Sequence, residues 1–134
     1  MKAIDTIGLV RFLVNDDRVQ SAKVRQLFAT AEKERSMFYV PLLVLLETIW
    51  VLESAYQVKR SDLIETISEL LLMPVLQFEQ REAVQSMLDI VADALLDLPD
   101  ALIAQSALYK GCDSVLTFDQ KAARGSGFEL LEIV

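Results

Sequence analysis

Histidine is absent from this chain of 134 residues and cysteine occurs once, at Cys112. Without histidine there is no Ser-His or Cys-His nucleophile pair, no imidazole ligand for a metal, and no histidine acid/base couple. A single cysteine excludes an internal disulfide and a multi-cysteine zinc site, and it agrees with a reducing compartment; Cys112 is expected as a small core residue. Four glycines leave no Gly-rich loop of the kind that cradles phosphate. No apolar run reaches the roughly 18 residues that cross a bilayer, and the start lacks a signal-peptide pattern, so a cytoplasmic location without membrane contact is expected. Basic residues are also scarce, 13 Lys and Arg against 20 Asp and Glu, a formal net charge of -7. That balance argues against a broad electrostatic grip on nucleic acid but leaves room for a local one, because an acidic cluster completed by a cation is far less negative when occupied. Any chemistry must come from carboxylates, hydroxyls, Lys, Arg or a bound ion.

What remains is apolar and regular. With 53% hydrophobic residues spread over its length, the chain is expected to form one domain, residues 1–134, with a packed interior. Residues 2–5 suit a first strand, followed by helices through GLVRFLV and VQSAKVRQLFATAEKE, where Val24, Leu27, Phe28 and Ala31 recur at helical spacing. MFYV reads as a strand stopped by Pro41, and LLVLLETIWVLESAY as a nearly continuous apolar helix. SDLIETISELLL reads as a helix with Ser61 as N-cap, VLQF as a short strand, and QREAVQSMLDIVADALL as another helix. DLPDALIAQSALYKG is expected to be helical up to Gly111, then DSVLTF a strand, DQKAARGSG a turn and FELLEIV a last strand. Strands separated by helices imply parallel pairing and a three-layer α/β/α sandwich with a short, mainly parallel central sheet.

In such sheets ligands bind beyond the carboxyl ends of the strands. Asp5 ends the first expected strand and Asp119 the strand VLTFD; each either caps the following helix or faces a shared crevice. Glu47 has Leu43, Val44, Trp50 and Val51 three and four positions away, an apolar setting in which an unpaired carboxylate is costly. It needs a cationic partner, a metal or a wet cleft. Asp97 and Asp100 stand three apart at a helix start, where Asp97 as N-cap, Pro99 in the first turn and Asp100 near the dipole form a complete structural account. Converging carboxylates repel one another, and a divalent cation relieves the repulsion. Ligation by oxygen alone suits Mg²⁺ or Mn²⁺, which can activate water for in-line attack on a phosphodiester.

IDTIGLVRFLVNDD, VPLLVLLETIWVLE and DLPDALIAQSALYKGCDSVLTFDQKAAR together resemble, in this order, the PIN-domain ribonucleases, in particular the VapC-type toxins of toxin-antitoxin pairs. The resemblance implies a divalent-metal-dependent endoribonuclease acting on structured RNA such as tRNA or ribosomal RNA, dimeric with itself and silenced by a small antitoxin protein. It implies an acidic site of Asp5, Glu47, Asp100 and Asp119 with Asp97 close by. Asp5 and Asp100 would be direct ligands of Mg²⁺ or Mn²⁺, and Glu47 and Asp119 would hold waters or a second ion. Thr6 and Thr117 would support these groups, and Arg11, Lys121 and Arg124 would contact phosphate. Ile7 stands where the family carries Asn, Gly8 where it carries an aliphatic residue, and ADALL where relatives have a glycine-containing turn. The alternative is a catalytically weak PIN scaffold that binds RNA or a protein. Phosphatases needing D-x-D after the first strand fit less well, the third residue being Ile7, as do receiver domains, which need paired acids there.

Overall fold

Short segments of two or three residues form the strands of the computed structural model, which describes residues 1–91 and 96–133. They are β1 (Lys2–Ala3), β2 (Phe38–Val40), β3 (Leu76–Phe78), β4 (Val115–Thr117) and β5 (Phe128–Leu130). Between them lie α1 (Thr6–Leu13), α2 (Arg18–Glu34), α3 (Leu42–Ser54), α4 (Arg60–Leu71), α5 (Arg81–Val91), α6 (Leu98–Tyr109) and α7 (Gln120–Ala123). The chain forms two compact units, Met1–Glu79 and Gln80–Val134.

In the first unit the sheet runs β1-β2-β3, all parallel, with Lys2 opposite Phe38 and Val40 opposite Phe78. The β1 ladder continues one residue further, where Ile4 N–H donates to Tyr39 C=O at 3.0 Å. Parallel neighbours need crossover connections, and α1 and α2 supply the first of them, α3 and α4 the second. Leu9, Val10, Val40, Leu45, Ile49 and Leu63 are among the buried residues. Phe28 stacks between Phe12 and Phe38 with ring centroids 4.8 and 5.4 Å apart. The expected stripe on α2 holds at Phe28 and Ala31, whereas Leu27 points to solvent.

The second unit pairs β4 with β5 in parallel, Val115 opposite Phe128, and packs α5 on α6, with Val84, Met87, Leu88, Ala101 and Leu102 buried. α6 ends at Tyr109 with Lys110 as C-cap, and Gly111, at φ +94°, follows as the expected stop. Within DQKAARGSG, expected as a plain turn, residues 120–123 form α7, a helix too short to show periodicity in sequence. Gly127 then lets β5 begin: its φ is +92°, and a Cβ there would lie 3.0 Å from the Cβ of Ala104 on α6. Gly127→Ala is therefore expected to cost about 1–3 kcal/mol in urea unfolding. A loss below about 0.5 kcal/mol would show that the turn relaxes freely.

Three further expectations need correction. Cys112 is exposed, because it follows the Gly111 turn and not a core strand. α4 starts at Arg60 with Lys59 as N-cap, so Ser61 lies inside the first turn and caps nothing. Of the helix expected over 80–96, Arg81–Val91 is present, and the expectation for 92–95 lies outside the described residues.

Candidate metal centre

The end of β1 turns directly into α1 at Asp5, whose backbone is still extended (φ -91°, ψ 177°) and whose Oδ1 accepts the Gly8 N–H at 2.8 Å. Gly8 keeps this approach close: a Cβ there would stand 2.8 Å from Ile4 Cγ1 and 3.2 Å from Asp5 Oδ1. Asp5 is thus a helix cap, and the cap engages one oxygen of an exposed carboxylate. Capping and ligation do not compete for the same lone pairs. Thr6 is buried in the first turn of α1, and among the described residues no hydrogen bond of its hydroxyl supports Asp5. Ile7, in the position of the family's Asn, is 53% exposed.

On α3 the buried face is Leu45, Thr48, Ile49 and Leu52. Glu47 lies on the opposite, exposed face with Leu43 (78% exposed) and Trp50 (63%). Of the apolar residues three and four positions away, Leu43 and Trp50 are exposed and Val44 and Val51 half-buried, so the exposed Glu47 carboxylate does not need the buried cationic partner that was one of its three expected settings. Arg11, expected near phosphate, is occupied otherwise. Its Nε donates to Gln20 Oε1 at 2.7 Å and its Nη1 lies 3.5 Å from Asp16 Oδ1. Asp16 Oδ2 in turn accepts the Tyr56 hydroxyl at 2.6 Å. That hydrogen bond, aided by the Arg11 charge against partial desolvation, holds the Asp16 carboxyl below the ordinary carboxylate value.

The second unit brings three of the expected acids together. Asp119 follows β4 and caps α7: its Oδ1 accepts from Lys121 N–H (2.9 Å) and Ala122 N–H (3.3 Å). Thr117 secures this turn, because its Oγ1 accepts the Asp119 backbone N–H at 2.9 Å. Asp97 occupies the N-cap position of α6, yet its side chain caps nothing; Oδ1 lies instead 3.6 Å from Lys121 Nζ. Asp100, in the first turn of α6 and only partly exposed, feels the other two. Burial, then the charges of Asp97 and Asp119, push its carboxyl above the ordinary value, and Lys121 pulls the other way. Lys121 was expected at phosphate; its ion pair with Asp97 joins residues 24 positions apart and has no local signature. Arg124 closes α7 as its C-cap and is exposed.

Acids beyond two strand ends, on an α/β frame with parallel strands, coincide with a family model. The PIN domain matches residues 2–127. The chain belongs to the PIN-domain family. The match begins in β1 and runs through both units to Gly127, and PIN domains are nucleases, typically dependent on a divalent metal. No curated protein sequence matches the chain.

Among the described residues of this PIN domain, no three Asp, Glu or Cys side chains surround one point at coordinating distance. Within the second unit the reason is visible: Asp119 Oδ1 faces the α7 backbone and Asp97 faces Lys121. The donor set nevertheless fits a hard cation. It is all oxygen, Asp97 and Asp119 are exposed, and Asp100 is half-buried beside them. Asp100, Asp119 and Asp97 are the groups of this unit that would hold such an ion.

Proposed function

We propose that this PIN domain is a Mg²⁺- or Mn²⁺-dependent endoribonuclease of the VapC toxin type, with residues 1–134 acting as one domain. The observation that carries the reading is the PIN-domain match over residues 2–127, in a chain with Asp5 and Asp119 just beyond strand ends and Asp97 and Asp100 at the start of α6. Asp5 and Glu47 complete the acidic site in this reading, Asp5 and Asp100 as direct ligands and Glu47 and Asp119 through bound water. A bound divalent ion would lower the pKa of water and stabilise charge on the phosphate. Asp5 and Asp119 are suited to such a site because helix caps fix one oxygen of each and leave the other open. With no histidine couple in the chain, water is the nucleophile. It attacks phosphorus, the bond to the 3′ oxygen breaks, and the products carry a 5′-phosphate and a 3′-hydroxyl.

The substrate class proposed is structured RNA, tRNA or ribosomal RNA. The partners proposed are a second copy and an antitoxin protein, in the cytoplasm. Exposed apolar side chains on the first unit, Leu43, Trp50 and Leu72, support a partner of some kind. No helix among the described residues is long and apolar enough to cross a membrane.

Incubation of the purified protein with total tRNA and ribosomal RNA, with Mg²⁺, with Mn²⁺ and with chelator, tests the activity. Cleavage is expected only with a divalent ion, and cleavage that persists in chelator would overturn the mechanism. Exposed Ile7, in place of an amide that could orient a neighbouring carboxylate, favours a second reading as a weakly active binding scaffold. Calorimetry separates the two: a scaffold without a site gives no saturable heat with Mn²⁺.

A further inference from the structure

Lys121 touches two carboxylates at once. Its backbone N–H donates to Asp119 Oδ1 at 2.9 Å, and its side-chain ammonium lies 3.6 Å from Asp97 Oδ1. Asp119 therefore fixes where residue 121 starts, as the cap of α7, and the side chain then reaches back to the N-terminus of α6. It is placed there by the same cap that orients Asp119. The other cation near this cluster in sequence, Arg124, lies at the far end of α7 and makes no ion pair among the described residues.

We propose that Lys121 is a built-in counter-ion of the acid cluster, holding Asp97 against Asp100 and Asp119 until a divalent cation displaces its ammonium. The inference rests on the metal-dependent reading above and adds to it a determinant of ion affinity. A lysine is suited to the task because its ammonium is a compact point charge on a flexible stem, able to leave without moving the backbone. The Lys121 N–H to Asp119 bond belongs to the cap and stays when the side chain departs.

The strength of the pair sets the size of the effect. Lys121 and Asp97 side chains are 68% and 58% exposed, and a pair this open contributes weakly. Loss of the competing charge is therefore expected to tighten ion binding by about three- to tenfold, not by orders of magnitude.

The experiment is Mn²⁺ titration of wild type, Lys121→Gln and Lys121→Arg by calorimetry and by the loss of free-ion electron paramagnetic resonance signal, with melting curves in chelator and in saturating Mn²⁺. Lys121→Gln is expected to bind Mn²⁺ about three- to tenfold more tightly than wild type, with Lys121→Arg close to wild type. It is also expected to melt below wild type in chelator, with the gap closing when Mn²⁺ saturates. Equal or weaker Mn²⁺ binding by Lys121→Gln overturns the counter-ion role while leaving the metal reading intact. Absence of saturable binding in all three proteins overturns the metal reading and this inference with it.

Discussion

Asp100→Asn is expected to lower divalent-dependent RNA cleavage by at least about a hundredfold while making the metal-free protein more stable at neutral pH. The two effects have one origin. Asp100 is partly buried beside Asp97 and Asp119, so its ionised form is disfavoured and its carboxyl lies above the ordinary value of 3.8. A folded-state value above the unfolded one means that the folded protein binds this proton more readily. The contribution to stability is fully present below the unfolded value and is lost as pH rises through the folded one. At neutral pH the group is charged and destabilising, and the asparagine removes that cost without changing shape. Melting in chelator should therefore place Asp100→Asn above wild type at pH 7, with the difference shrinking on acidification and gone well below pH 3.8. A variant that melts lower at pH 7 would show that Asp100 is a structural anion and not a repelled one. A variant that melts higher yet cleaves normally would remove Asp100 from the chemistry.

Ile49→Ala is expected to cost about 2–5 kcal/mol of folding stability. Ile49 is fully buried on α3, between Leu45 and Leu52 of the same face. Removing three carbons from such a position loses their transfer energy and leaves a cavity that neighbours fill only in part. A domain of this length has about 5–15 kcal/mol in total, so the midpoint in urea should fall steeply. Glu47→Gln, two residues away on the exposed face, is expected to leave the same midpoint within about 0.5 kcal/mol. Equal losses for the two variants would contradict the division of α3 into a packed face and an open one.

That division was not legible beforehand. LLVLLETIWVLES is apolar nearly all round, so its periodicity does not say which side meets the core. Placing Glu47 among apolar neighbours was right as a statement about spacing and wrong as one about burial, because Leu43 and Trp50 are themselves exposed. Cys112 misled for a similar reason: a residue type that is usually buried sits here just past a helix end, where the turn geometry of Gly111 directs the chain outward. α7 escaped notice because four residues carry no helical period, although Asp119 before it was recognised as a possible cap.

The succession of strands and helices along the chain was legible because it depends on local patterns: short segments between turns for the strands, apolar spacing for α2 and α5, Gly111 just past the end of α6. The absence of histidine and the lone cysteine leave carboxylates, hydroxyls, Lys, Arg or a bound ion to supply any chemistry, whatever the fold. The acids at strand ends mark where it would occur. Only tertiary structure decided how those acids are used. Asp5 and Asp119 each spend one oxygen on a helix cap, Asp97 turns from its own helix to Lys121, and Asp100 is half-buried, its carboxyl pushed up by burial and then by the charges of Asp97 and Asp119. Charge coupling depends on distance in space and on local burial. A sequence specifies neither until residues 97, 100, 119 and 121 have been folded against one another.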